Sequence, residues 1–298
     1  TFTRAIGHYP EDADLLYGLA KAYAESDPSQ MEEPLHTAMF TNPDHIPSLL
    51  LQAHNQVDAE QYETAKGILK AIFKINPHHA GSWALQAAIH TVRNEPDKAR
   101  AARKSGLKYW KTNPLVDHEI GTKLSSKYLF TEGAAHQRQA LAFSKDYIPA
   151  KTQLAQDLLR LGQDEEGWKL AGEAHDADGY DVTTFNLLTL HDTLKKYVTI
   201  DRNGFLLRMT RDEAALYGDE AIDLLTEARG LFSKKYDTQI EGSVIVEIFP
   251  EKKDFAVRTF GIPGGDGYMG VCFGRLITAN SPKSLVGFQQ NWQSLLWH

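Results

Sequence analysis

The sequence has one cysteine, Cys272, in 298 residues, which excludes an internal disulfide framework. It has no stretch of 18 apolar residues, which excludes a membrane-spanning helix. It has no basic stripe: 32 Lys and Arg against 39 Asp and Glu leave a net charge of -7, which weighs against a nucleic-acid partner. It does not open on methionine and carries no signal peptide. The start Thr1-Phe2-Thr3 is that expected of a trimmed piece, so the missing signal says nothing of the parent. What remains is ordinary for a globular chain, 42% hydrophobic and 24% charged, enough for a core and too apolar for disorder. The length suggests about two domains.

Prolines recur at Pro10, Pro43, Pro77 and Pro114, three of them after asparagine, at Asn42, Asn76 and Asn113. A period near 34 with a proline towards the end of each unit is the tetratricopeptide signature. Proline ends one helix and pre-sets the turn into the next. Units starting at Ile46, Ala80 and Ile148 place Ala53, Ala87 and Ala155 at position eight, and Ala65, Ala99 and Gly167 at position twenty. Small residues there let paired helices approach closely. A unit read from Asp117 places Leu124 at position eight and counts as degenerate. With an opening unit, Ala13 to Phe40, the expectation is about five helix pairs over residues 1–185, ending near Asp181. Trp83, at position four, is expected to be largely buried.

Stacked helix pairs present a concave face to peptides or proteins. Positions five and nine of the first helices line it: Leu50 and His54, Ala84 and Ala88, Gly121 and Ser125, Thr152 and Gln156. These are not the Lys, Asn and Arg of a carboxylate clamp. A ligand groove and a brace for the second domain both stay open.

After Lys196 the period changes. Two strand-like runs, 197–201 and 205–210, flank Asn203-Gly204 and read as a hairpin. A helix to about Tyr236, a strand over 243–249, a short helix near 252–259, a strand over 270–279 and a final helix over 288–298 complete an α+β domain, 196–298. Cys272, in an apolar strand pattern, reads as a buried structural thiol.

The blocks Ser243–Pro250, Asp254–Pro263, Gly270–Arg275 and Ser281-Pro282, followed by Trp297-His298, resemble the peptidase MA-like domain that follows tetratricopeptide repeats in some bacterial proteins. Those proteins are gluzincin-type zinc peptidases. The resemblance spans about Tyr197 to His298. It implies that His298 is the first histidine of an H-E-x-x-H motif, whose glutamate and second histidine lie beyond this chain. It further implies zinc in the parent and none in this fragment, with Gly270, Cys272, Phe273 and Gly274 on a strand beside the substrate cleft. The fragment by itself is then catalytically incomplete. The non-enzymatic alternative is a scaffold or adaptor holding peptides or proteins in the repeat groove. Leu295, Leu296 and Trp297 are expected to leave apolar surface exposed, inviting self-association.

Other motifs read blandly. Gly265–Gly270 matches G-x-G-x-x-G but precedes a strand, so it reads as a loop. Asp176–Asp181 lacks the residues of a calcium loop and reads as a turn. His78 and His79 read as solvent-facing, and Glu247 and Glu251 as solvated carboxylates. The fold class expected is mainly α: a tetratricopeptide-repeat superhelix, an α-α solenoid, followed by a smaller, incomplete α+β domain.

Overall fold

The computed structural model describes residues 2–264, 267–284 and 291–298. Two compact units divide the chain, Thr1–Lys145 and Asp146–His298.

The first unit is helical: α1 (Phe2–Ile6), α2 (Ala13–Ser26), α3 (Glu32–Thr41), α4 (Ile46–Asp58), α5 (Tyr62–Ile75), α6 (Ala80–Val92), α7 (Pro96–Gly106), α8 (Pro114–Ser125) and α9 (Phe130–Phe143), with a 3-10 turn at Pro28–Gln30. No strand falls in residues 46–106. Helices pair in chain order from α2/α3 to α8/α9. The first two turns between pairs are made by asparagine. Asn42 and Asn76 each end a helix in extended backbone, and each accepts a hydrogen bond from the N–H two residues on. The next helix then opens on a cap; the His79 ring accepts from the Ser82 N–H.

The backbone keeps a stricter period than the prolines. Helices α4, α6 and α8, and α10 and α12 of the second unit, open at Ile46, Ala80, Pro114, Ile148 and Val182, a constant step of 34 residues. A left-handed residue closes the turn inside each pair from α4/α5 onward, at Glu60, Asn94, Tyr128 and Gly162. The fourth unit therefore starts at Pro114 and not at Asp117. Pro114 occupies the first helical position, where a missing N–H costs nothing, and Lys111 takes the place of Pro43 and Pro77. In this frame the unit is regular, with Gly121 at position eight and Gly133 at position twenty. A Cβ on Gly121 would sit 2.8 Å from the Gly133 carbonyl oxygen.

Trp83 is partly buried, less deeply than a core aromatic. Its ring stacks on Phe73 at 4.2 Å and its Nε1 donates to the Pro77 carbonyl at 2.9 Å. Trp83→Ala is accordingly expected to cost about 2 kcal/mol in urea unfolding, below the ~3–5 kcal/mol of a fully buried aromatic.

The second unit begins with α10 (Ile148–Arg160), α11 (Asp164–Ala177) and α12 (Val182–Leu194). Asp178 makes the turn before α12, and Asp181 caps that helix. There follow β1 (Val198–Arg202), β2 (Phe205–Met209), α13 (Arg211–Tyr236), β3 (Val244–Phe249), α14 (Lys252–Phe260), β4 (Gly270–Phe273), β5 (Leu276–Asn280) and α15 (Trp292–Trp297). The strand order is β1-β2-β3-β5-β4, parallel at β2/β3 and β3/β5 and antiparallel at both edges. Asn203 and Gly204, at φ 54° and 78°, form the expected hairpin turn. The run 270–279 is two strands and not one, because Gly274 turns the chain at φ 66°.

One sheet face packs Leu207, Val246 and Ile248 against Ile222 and Leu225 of α13 and Trp292 and Leu296 of α15. The other packs Phe249 against Phe255 and Val257 of α14 and Ala155, Leu159, Leu187 and Leu190 of α10–α12. The helices from Asp146 on thus keep the repeat period while sharing the core of the sheet. The apolar run at 295–297 is not left bare: Leu296 is 6% exposed, with Leu295 and Trp297 partly buried. Packing against α13 covers it. Of the expected helix 288–298, residues 288–290 lie outside the described residues, as do Gly265 and Asp266 of the glycine motif.

Candidate functional site

Ala84 and Ala88 are fully buried in the core between α6 and α8, so they offer no surface to a ligand. Their small size leaves α6 low, and side chains of α4 and α8 reach across it. Lys123 Nζ holds both oxygens of Asp58, at 2.8 and 3.0 Å. Lys127 reaches the Asp58 carbonyl at 2.9 Å and Glu60 at 3.7 Å. His54 lies 3.9 Å from Glu119. Leu50 lies against Gly81. In the corrected frame the fourth unit contributes His118 and Thr122 at positions five and nine, while Gly121 and Ser125 are buried. In the second unit Thr152 is 9% exposed, and Gln156 Oε1 accepts from Arg160 at 3.4 Å.

Burial, with Lys123 adding repulsion, pushes the His54 imidazole down to about 3. The unfolded chain binds a proton near pH 6.5 that the folded chain refuses, so stability falls as pH drops through that window. Urea unfolding should show a loss of up to about 1.4 kcal/mol per pH unit below ~6.5, and His54→Leu should flatten that slope.

The second unit carries a more open feature. Strand β4 is at the sheet edge, and among the described residues it pairs on one side only, with β5. Beside it lies an apolar cavity of about 210 Å³. Cys272 and Ile277 form its sheet wall, Phe232 and Tyr236 of α13 a second wall, and Leu296, Trp297 and His298 a third. Phe232 meets Trp297 edge-on at 6.2 Å. Three residues expected near a cleft, Cys272, Gly274 and His298, line this cavity together. Phe273 is buried at 8% exposure, and Gly270 lies where a Cβ would meet Leu295 at 3.1 Å. Cys272 is exposed, which corrects the buried-thiol reading: it stands on the edge strand, opposite Ile277. The partial enclosure of the cavity raises its thiol above the ordinary range, so it is a weak nucleophile. Among the described residues no three His, Cys, Asp or Glu side chains converge as metal ligands.

Glu247 is fully buried, correcting its reading as a solvated carboxylate. It stands on the central strand β3, where both faces are covered by helices. Arg258 of α14 donates from Nε to Glu247 Oε2 at 2.5 Å and from Nη1 to the Leu159 carbonyl at 2.9 Å. Arg208 of β2 reaches Glu247 Oε1 at 2.8 Å and also pairs with Asp164 of α11. The Arg258 guanidinium lies over Trp168, which stacks on His191. This network ties α10–α11 and α14 to the sheet.

No family model and no curated protein matches the chain. Solved structures do. TTC0263, a thermophilic tetratricopeptide-repeat protein of Thermus thermophilus, is 22% identical over 53% of this chain and 87% of its own, with a TM-score of 0.41. YrrB, a repeat protein described as having an unusual peptide-binding site, is 13% identical over 65% of this chain and 97% of its own, at 0.36. A chain of the Cut9–Hcn1 complex of the APC/C is 14% identical over 64% of this chain; the match covers 39% of that chain, at 0.42. The helix pairs, by period and register, have the tetratricopeptide fold. Identities this low concern fold alone. The sheet, the edge strand and the cavity rest on this chain's own geometry.

Proposed function

We propose that the chain is a binding module for peptides or proteins, and that its receptor is the β4 edge with the adjoining cavity. An extended segment adds to β4 through backbone hydrogen bonds and drops one apolar side chain between Phe232, Trp297 and Cys272. The observation that carries this reading is an edge strand next to an apolar cavity of side-chain size. Strand addition draws affinity from the backbone and specificity from such pockets. The repeat face around Ala84 and Ala88 is filled by the chain's own side chains, which favours the β4 edge as receptor.

Selection from displayed decapeptides tests it. Bound sequences should be extended, with a large apolar residue at a fixed position. Cys272→Trp, which fills the cavity from an exposed position, should weaken binding at least tenfold, about the worth of one well-buried side chain. Equal binding by the filled variant rules the cavity out as receptor.

A second reading, that the parent is a zinc metallopeptidase, draws support from the antiparallel edge strand beside β5 and a following helix that ends on His298. Among the described residues no three side chains converge as ligands, so His298 would draw its partner ligands from the rest of the parent. The parent gene decides: glutamate directly after His298 and histidine three residues further support this reading, and other residues remove it.

A further inference from the structure

The junction of α7 with α8 departs from its neighbours. Arg103 and Asp117 stand where Leu69 and Trp83 stand one unit earlier, so an ion pair replaces apolar packing. Asp117 is fully buried and accepts from Arg103 Nε at 2.7 Å, Arg103 Nη2 at 2.6 Å and His136 Nδ1 of α9 at 2.7 Å. A buried pair of this kind brings little net stability over apolar residues of similar volume. Nor does α7 fill the space: it buries only Ala102 and Gly106. A cavity of about 250 Å³ is left, with a floor of Ala87, Ala99 and Ile120 and with Arg100, Arg103 and His136 around it. A second cavity, about 300 Å³, meets Arg103 and His136 beside Asp117.

The triad fixes what faces these cavities. With two of its nitrogens held by Asp117, the Arg103 guanidinium has one orientation. Neither Arg103 Nη1 nor His136 Nε2 bonds to any described residue. Arg100 stands one helical turn away, paired with the exposed Asp97. Asp117 cancels the Arg103 charge, and the pair of Arg100 with Asp97 is exposed and weak, so Arg100 is the one guanidinium that can turn to an anion. That leaves the site suited to a monoanion and poorly suited to a dianion such as phosphate. The accessible apolar surface of Pro96 and Ala99 takes a short apolar body.

We propose that this cleft binds a small monocarboxylic acid, with the carboxylate at Arg103 and Arg100 and the aliphatic part against Pro96 and Ala99. It is separate from the β4 receptor and does not depend on that reading.

Titration calorimetry of the full chain with isovalerate tests it, with isovaleramide and a valine-terminated tripeptide as further probes. For so few heavy atoms the expected Kd is about millimolar. Saturable binding of isovalerate, absent for the amide, is the expected result. Arg100→Gln, at an exposed position, should weaken it about tenfold. Ala99→Leu should abolish it while the circular dichroism melt shows a folded chain. The proposal is overturned by equal binding of acid and amide, by binding indifferent to both substitutions, by no saturable binding, or by binding of the tripeptide alone.

Discussion

Glu247→Ala should destabilise the second unit by about 3–5 kcal/mol, the cost of removing one partner from a buried ion pair. Arg258 is then the stranded group. Its side chain is fully buried, and its remaining partners are the Leu159 carbonyl and, at 3.2 Å, Asp164. Replacing both members, as Glu247→Leu with Arg258→Met, should recover most of the loss, because the site then asks only for packing. The measurement is urea unfolding of the full chain, with near-ultraviolet circular dichroism reporting the Trp168 environment. A loss below roughly 1 kcal/mol for the single substitution would mean that the Glu247–Arg258 pair is not formed in solution.

The second large effect tests the register. Gly121→Leu should cost about 3 kcal/mol, the upper part of the overpacking range. Its Cβ alone meets the Gly133 carbonyl at 2.8 Å and the Gln137 amide at 2.6 Å, so α8 and α9 must separate. Gly67→Ala, in α5 with nothing within 4 Å of the added Cβ, should stabilise by about 0.5–1 kcal/mol through helix propensity. Opposite signs for two helical glycines follow from the 34-residue frame. If the unit began at Asp117, Gly121 would not hold the close-approach position, and both substitutions would stabilise.

The parts of the fold legible in the sequence are those set by local chemistry. Asn-Pro turns, small residues at positions eight and twenty, and the Asn203-Gly204 hairpin all act over a few residues. Pro114 misled because proline serves two neighbouring roles, in a turn and at the first helical position. The backbone distinguishes these; spacing alone does not. The break between β4 and β5 was hidden because one glycine in an apolar run reads equally as strand. The site was less legible still. Glu247 is buried because Arg258 lies 11 residues on and Arg208 comes from the neighbouring strand, pairings that no local pattern signals. The Arg103–Asp117–His136 cluster becomes visible once the unit is counted from Pro114, where two charged residues fall on positions that are apolar one unit earlier. Cys272 reads as buried because an apolar run implies two covered faces, whereas its strand is an edge.

Hydrogen exchange along Gly270–Phe273, with and without a selected apolar peptide, tests the central claim most directly. Strand addition predicts that outward-facing amides of β4 exchange quickly in the free chain and slow at least tenfold when the peptide is bound, as a new ladder forms. The α13 and α15 walls should gain less protection. Unchanged exchange in β4 under saturating peptide, with protection on the helices of the first unit instead, would contradict the claim and place the receptor on the repeats.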